Sequence, residues 1–416
     1  MTSGTQTVLP PARARRAAGA VFAIFALNGF TFANWVSRLP TIRDELSLSP
    51  REIGLILLVG SLGSIVALPL AGSVISRFGA ERTVVFASLV AGLGLTAAVV
   101  GVSAVQPLVV ALGLFVSMTG IASWDVGMNF EGTRVEQALR RAIMPWFHGG
   151  YSLGTVFGAG VGALATFLHV SVAAHLIAVV VVVFIAVLAL VRGLLPDEPA
   201  HEEAHADTPR AGGGFMRAWL EGRTLLVGLV VLAAALTEGA ANDWLALAVV
   251  DGFDVPNAIG ALGFTIFVAA MTIMRFVGTA LLDRFGRVAV LRLCTGLAIV
   301  GLLTFTLVPS LPVALAGAVL WGMGAALGFP VGMSAAADEP ARAAARISVV
   351  ATIGYTAFLA GPPLLGLLAD HIGYRHALLA ILVPLVVGLL VIPFAAPPAS
   401  PPVGVAPARP AKRAAE

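Results

Sequence analysis

Charge is scarce in this chain of 416 residues, and the shortage excludes a broad class of proteins. Only 11% of the residues are charged, and 58% are hydrophobic. A water-soluble domain carries roughly 25% charged residues, because charged side chains cover its surface. The composition therefore indicates a protein whose surface is solvated largely by lipid.

Cysteine and lysine each occur once. Cys294 lies in an apolar run, so a disulfide and a cysteine-based metal site are both excluded. Lys412 lies in the C-terminal tail, whereas a nucleotide-binding P-loop or a Schiff-base cofactor would need a lysine in the body of the protein. No Ser/His pair or metal constellation is evident. We expect no cofactor, no metal and no enzymatic activity.

Long apolar runs recur along the whole chain, and residues 84–102 and 378–394 are nearly free of charge. A membrane-spanning helix needs roughly 20 apolar residues at a rise of 1.5 Å per residue. The runs and their boundaries predict an all-α membrane protein with twelve transmembrane helices. The predicted spans are 18–38, 52–76, 83–103, 107–130, 147–168, 171–193, 223–249, 257–282, 288–308, 311–334, 347–368 and 375–395.

A polar segment, residues 195–221, separates the sixth and seventh predicted spans and has the composition of a flexible linker. It divides the chain into two six-helix bundles, residues 18–194 and 222–395. The two ends, residues 1–17 and 396–416, are rich in proline and alanine, and we expect them to be disordered.

Basic residues are distributed unequally between the two sides of the predicted membrane. Twenty of the 25 Lys and Arg residues fall on the side of the two termini, four fall on the other side, and Arg275 lies within a span. Because positive charge is retained on the cytoplasmic side, this bias predicts cytoplasmic termini and a cytoplasmic linker. A cleaved signal peptide at Arg13–Arg16 is the alternative for the first span.

Four short motifs occur twice, in the same order and 204 to 209 residues apart. The pairs are Asn34-Trp35 with Asp243-Trp244, Arg77-Phe78-Gly79 with Arg284-Phe285-Gly286, Val126-Gly127-Met128 with Val331-Gly332-Met333, and Gly150-Tyr151-Ser152 with Gly354-Tyr355-Thr356. A nearly constant offset indicates duplication of a six-helix unit. Duplicated halves that move about a central site are typical of secondary transporters.

The loop after the eighth span, Asp283-Arg284-Phe285-Gly286-Arg287, resembles the signature loop of the major facilitator superfamily. A degraded copy runs from Ser76 to Ala80, and a further echo includes Asp370 and Arg375. Within the superfamily, the fourth span with Asp125 and Asn129 resembles the branch near the L-fucose/proton symporter and rhizopine-type carriers. The resemblance implies a fold of two pseudo-symmetric halves. Trp35 stands where that symporter has an acidic residue, so its coupling scheme does not transfer whole.

Carboxylates within predicted spans are the candidates for proton coupling. A carboxylate at mid-bilayer costs roughly 2.5–3.5 kcal/mol, so it should face a water-filled cavity or a partner. Asp125 and Glu238 are the leading candidates, with Asp243 and His148 behind them. The alternative is that these groups form interhelical pairs.

Amides and aromatic rings in the spans are candidates for the substrate cavity, although tryptophan is also common at membrane interfaces. The cavity candidates are Asn28, Asn34, Trp35, Asn129, Tyr151, Asn242, Trp244 and Tyr355. Charged residues near span ends are candidates for gates or latches, and Arg275 would either pair with a carboxylate or bind an anion. The gate and latch candidates are Arg77, Arg82, Glu131, Arg134, Glu136, Arg275, Asp283, Arg284, Arg287, Asp370 and Arg375.

The resulting hypothesis is a proton-coupled transporter that imports a small polar solute, such as a sugar or polyol, across the bacterial inner membrane as a monomer. An exporter of drugs or metabolites is the alternative, which Gly158-Ala159-Gly160 in the fifth span disfavours because drug antiporters carry Gly-Pro there. A membrane sensor or scaffold without transport is a third hypothesis. The expected partners are a solute, protons and the bilayer, without nucleic acid.

Overall fold

The computed structural model describes residues 11–141, 143–195, 214–339 and 342–397. Within these ranges all regular structure is helical. The α-helices are α1 (Pro11–Ser37), α2 (Leu39–Leu46), α3 (Pro50–Phe78), α4 (Ala80–Ser103), α5 (Pro107–Leu139), α6 (Met144–Phe167), α7 (Val172–Leu190), α8 (Gly214–Ala218), α9 (Gly222–Phe253), α10 (Asn257–Leu307), α11 (Leu311–Ala325), α12 (Gly328–Ala336), α13 (Ala343–Ile372), α14 (Tyr374–Ala377) and α15 (Leu382–Val391). Short 3-10 helices cover Val191–Gly193, Leu378–Ile381 and Ile392–Ala395.

The helices make twelve passes, arranged as two pseudo-symmetric halves of six. Ten continuous stretches in the described ranges have the length and apolarity of a membrane span. One of these, α10, has 51 residues and turns back at Gly286, where φ is +78° and ψ is 165°. Only glycine adopts such a conformation readily, so α10 provides two passes. Helix α6, with 24 residues, provides the twelfth.

The boundaries differ from the predicted ones at both ends of the first span and in the linker. Helix α1 begins at Pro11 rather than at residue 18, and a separate helix, α2, follows it. The linker prediction falls mostly on residues 196–213, outside the described residues, and α8 forms just after them. The predictions of disordered tails likewise fall largely outside the described residues.

Small residues set the helix spacing inside each half, and large apolar side chains cover the outside. A Cβ atom added to Gly154 of α6 would overlap the backbone of Ala26 in α1, and one added to Gly63 of α3 would overlap Phe115 of α5. Close backbone approach of this kind is the usual packing of membrane helices. Leu93 and Leu390 are 60% and 71% exposed, as expected for side chains that face lipid.

The two halves are tied together at the end of the bundle that carries α2. Arg43 of α2 donates to both carboxylate oxygens of Asp251 in α9 at 2.7 Å. Asn257 of the second half donates to Asp44 at 2.8 Å, and Gly54 of α3 lies against the backbone of Pro362 in α13. We call this region the α2 end.

At the opposite end, the ion pairs between described residues each stay within one half. Arg134 pairs with Glu131 in the first half, and Arg287 pairs with Asp338 in the second. Arg346 pairs with Glu221, again in the second half. Among the described ion pairs, the one that crosses between the halves, Arg43 with Asp251, lies at the α2 end, and in the bundle interior the halves are joined by the hydrogen bond from Arg275 to Ser152.

Candidate functional site

A cavity of about 260 Å³ lies between the two halves. Helices α1, α3 and α5 of the first half line one side of it, and α9 and α13 of the second half line the other. Leu39 of α2 closes part of its wall. The polar side chains and aromatic rings in its lining are Phe32, Trp35, Ser61, Ser64, Asn242, Asp243, Tyr355 and Phe358.

Asp243 is the acidic residue in this lining, and it has no hydrogen-bond or ion-pair partner in the part of the chain that the structure describes. It lies in α9 next to Asn242, which also faces the cavity. Across the cavity, Trp35 of α1 is only 2% exposed, and its indole Nε1 is buried without a hydrogen-bond partner among the described residues. The acceptor that the cavity lining leaves without a described partner is therefore the Asp243 carboxylate of the second half.

Asp125 of α5 is a second carboxylate without a hydrogen-bond or ion-pair partner among the described side chains. It interacts electrostatically with His148 of α6 and with both Tyr151 and Tyr355. Because Tyr355 also lines the cavity, Asp125 belongs to the same polar region of the bundle interior. The Asn129 amide donates to the Asp125 carbonyl at 2.9 Å, one turn away in the same helix.

Glu238 and Arg275 neutralise each other in the second half. The Arg275 guanidinium donates to both carboxylate oxygens of Glu238 at 3.0 Å. It also donates to Ser152 of the first half at 3.3 Å and to the Ala326 carbonyl at 3.4 Å. Glu238 therefore differs from Asp125 and Asp243, because its charge is already balanced.

Other cavity candidates lie in different surroundings. The Asn28 amide donates to the Ile121 carbonyl at 3.3 Å, and Asn34 hydrogen-bonds His175 of α7 at 2.8 Å. Trp244 packs on the Tyr374 ring, with centroids 5.7 Å apart, towards the α2 end. The structure thus brings Trp35, Asn242 and Tyr355 together at the cavity and leaves Asn28, Asn34 and Trp244 within helix packing.

His148 lies at the start of α6 and is exposed. Its ring lies 5.3 Å from that of Phe25, and its Nδ1 is 3.2 Å from the Met144 carbonyl oxygen. Its interaction with Asp125 therefore links the interior carboxylate to an exposed side chain at the start of α6.

The loop motif of the two halves uses its arginines in two ways. Arg77 and Arg284 lie over the neighbouring Phe78 and Phe285 rings. Arg287 instead forms a two-point ion pair with Asp338, at 2.9 and 3.0 Å. Among the described residues, four further candidates form no ion pair: Arg82, Glu136, Asp283 and Asp370.

The remaining latch candidates bind backbone. Glu131 is 1% exposed and accepts from the Leu195 N–H at 2.7 Å as well as from Arg134. Arg375 donates to the carbonyls of Phe305 and Val308 and lies over the Phe253 ring. These contacts fix the ends of helices within one half.

Sequence reasoning missed three acidic partners: Asp251, Asp338 and Glu221. Burial opposes ionisation of Asp338, but hydrogen bonds from Arg287 and Arg223 hold the pKa of its carboxyl below the ordinary value. The hydrogen bond from Arg346 lowers the pKa of Glu221. One signal was available, because Glu131 and Asp338 are separated by 207 residues, the same offset as the duplicated motifs.

Two six-helix halves around a central cavity are the architecture of secondary transporters. A sequence model of the Major Facilitator Superfamily matches residues 21–263 and 227–415 of this chain. The protein belongs to the Major Facilitator Superfamily, and it is a multi-pass membrane transporter and not an enzyme.

Relatives agree with this assignment over nearly the whole chain. The uncharacterised transporter y4wD of Sinorhizobium fredii is 32% identical over 379 residues, covering 88% of this chain and 96% of the relative. The nucleoside transporter NupG has the same fold, with a TM-score of 0.73 at 15% identity over 90% of this chain and 99% of NupG. The fucose:proton symporter FucP of E. coli gives 0.62 at 16% identity, over 91% of this chain and 98% of FucP.

Proposed function

We propose that this protein couples the uptake of a small polar solute to protons, by alternating access of the cavity to the two sides of the membrane. The observation that carries the proposal is that two carboxylates in the interior between the halves, Asp125 and Asp243, have no hydrogen-bond or ion-pair partner among the described residues. A charge in the bilayer interior without a partner is costly, so uptake of a proton or of a solute group relieves that cost.

The two carboxylates take different roles in this proposal. Asp243 faces the cavity and contacts the solute. Asp125 carries the proton, because it lies outside the cavity lining and interacts with His148, which is exposed at the start of α6. Glu238 has neither role, since Arg275 already balances its charge.

The bias of basic residues supports cytoplasmic termini in a bacterial inner membrane. In that orientation the α2 end faces outward, and the cross-half pair of Arg43 with Asp251 is a closed outer gate. Opening to the outside requires this pair to separate. The Asp251 contact raises the pKa of Arg43 despite its partial burial, so the guanidinium stays charged while the gate is closed.

Purified protein in proteoliposomes that contain a pH-sensitive dye tests the coupling. L-fucose, polyols and nucleosides are the first solutes to add, since fold neighbours include a fucose:proton symporter and a nucleoside transporter. The panel also includes compact organic amines and quaternary ammonium compounds, and we expect a transported solute to acidify the lumen as it enters. Asp125→Asn should abolish the acidification, whereas the exposed loop variant Asp254→Asn should retain it. Solute entry without proton movement, or acidification that persists in Asp125→Asn, would overturn the coupling.

A further inference from the structure

The polar interior between the halves is electrostatically unbalanced. Its basic side chain, Arg275, is fully engaged with Glu238, Ser152 and the Ala326 carbonyl. Asp125 and Asp243 have no balancing partner among the described residues. The described carboxylates of this region, Asp125, Asp243 and Glu238, therefore outnumber its arginine by two.

A second observation comes from the indole of Trp35. This residue lines the cavity, but its Nε1 atom is buried and has no partner among the described residues. The indole therefore presents ring atoms, rather than its N–H, to a molecule in the cavity.

The rings around the carboxylate add a third element. Trp35, Tyr355 and Phe358 line the same cavity as Asp243. The face of an aromatic ring attracts a cation, and the attraction is strongest where water is excluded. A carboxylate among aromatic rings is a site for an ammonium group, whereas an anion would meet two uncompensated negative charges.

We infer that the solute is a small organic cation, an amine or quaternary ammonium, with its charge on Asp243 and against the neighbouring rings of Trp35, Tyr355 and Phe358. This inference rests on the proposed transport function and names the class of its solute. The cavity volume of about 260 Å³ restricts it to a compact molecule.

Charged thiol reagents test this inference without requiring the natural solute. Ser61 lines the cavity, and its hydroxyl bonds only the Leu57 carbonyl of its own helix, so Ser61→Cys should keep the fold. The probes are the cationic reagent MTSET and the anionic reagent MTSES, applied to the detergent-solubilised protein at pH 8. Cys294 is 1% exposed, and the parent protein measures its background reaction.

The reference position is Ala104→Cys, which is exposed in the loop between α4 and α5. Its nearby sequence from Gly101 to Gly113 carries no charge. Dividing the two rates at residue 61 by those at residue 104 removes the intrinsic difference between the reagents.

We expect the normalised rate to favour the cationic reagent by roughly tenfold, because a cleft of one sign concentrates counter-ions. Adding Asp243→Asn should bring the ratio most of the way towards one, and the ratio at residue 104 should not change. Equal normalised rates, preference for the anionic reagent, or failure of both reagents to reach residue 61 would each overturn the inference. The assay involves no transport, so a failure of the proposed coupling is recognised separately in the proteoliposomes.

Discussion

The two halves of the bundle place their duplicated residue pair on different faces. In the first half, Trp35 lines the cavity, and the preceding Asn34 points into helix packing, where it bonds His175. In the second half, Asp243 lines the cavity, and the following Trp244 packs on Tyr374. At these duplicated positions the first half thus contributes an aromatic ring, and the second contributes the charge.

The duplication thus preserved the helices but not the chemistry of corresponding positions. Adjacent residues on a helix point about 100° apart. A rotation of one helix about its own axis therefore changes which of two adjacent residues faces the cavity. The connections between corresponding helices differ as well. Helix α2 lies between α1 and α3 in the first half, whereas residues 254–256 alone connect α9 to α10 in the second half.

The largest expected effect comes from changing the polar side chain at the two corresponding positions, Asp243 and Asn34. Asp243→Asn should reduce solute uptake by roughly 10- to 100-fold, because hydrogen bonds to a charged group contribute about 1.5–3 kcal/mol. Asn34→Ala should leave the KM for uptake unchanged and lower the melting temperature, since His175 loses its partner. Initial uptake rates and melting curves of both variants measure this contrast. A comparable rise in the KM of Asn34→Ala would contradict the conclusion that the two positions face different surroundings.

The Glu238–Arg275 pair provides the next effect, on stability. Glu238→Gln leaves Arg275 partly buried without its counter-charge, and we expect a loss of about 1–3 kcal/mol, less than for a fully buried pair because both side chains retain some exposure. Thermal unfolding in detergent checks this. Glu136→Gln, which removes a carboxylate without an ion pair, is the matched control. Adding Arg275→Gln should restore part of the stability, and no restoration would contradict a paired role.

The two repeat-related tryptophans, Trp35 and Trp244, test the same difference between the halves with aromatic side chains. Trp35→Leu removes an aromatic ring from the cavity wall, so the KM for uptake should rise roughly two- to tenfold, as for one lost cation–π contact. Trp244 lies outside the lining, so Trp244→Leu should leave KM unchanged. Concentration dependence of uptake distinguishes the two variants. An equal effect of both would remove the distinction between the two faces.

The smallest effect concerns the ion pairs that stay within the second half. The Glu221 pKa is lowered from its ordinary 4.5 by Arg346, so its contribution is complete above that value and is lost as pH falls through the lowered pKa. Glu221→Gln should cost about 0.5–1 kcal/mol at pH 7, as for a partly exposed pair. The melting temperatures of the variant and the parent should converge below pH 4.5. A constant difference down to pH 3 would contradict this assignment.

Much of the fold could be predicted because its signals are local. Apolar runs, the duplicated motifs and the resemblance of the Asp283–Arg287 loop together indicated the family and the twelve helices. The helix α2 was not predicted, because its eight residues are too short and too polar to register as a span. The 51-residue α10 was predicted correctly as two spans, since its charged loop interrupts the apolar pattern.

The site was harder to predict, because the rotation of each helix about its axis decides which of its side chains face the cavity. The spacing of Glu238 and Asn242 placed them on one face, but the sequence did not reveal that Arg275 would bind Glu238. The pair of Arg43 in α2 and Asp251 in α9 joins residues 208 positions apart in the sequence. Such contacts depend on how the halves assemble, and no local pattern encodes them.

The most direct test of the proposed mechanism separates solute exchange from proton-driven accumulation in Asp125→Asn. A carrier that has lost its proton site should still exchange solute across proteoliposomes, because the cavity and Asp243 are intact. We predict that the variant exchanges labelled solute at a rate near that of the parent and accumulates none against a gradient when the outside is acidified. Accumulation equal to that of the parent would contradict the assignment of the proton to Asp125.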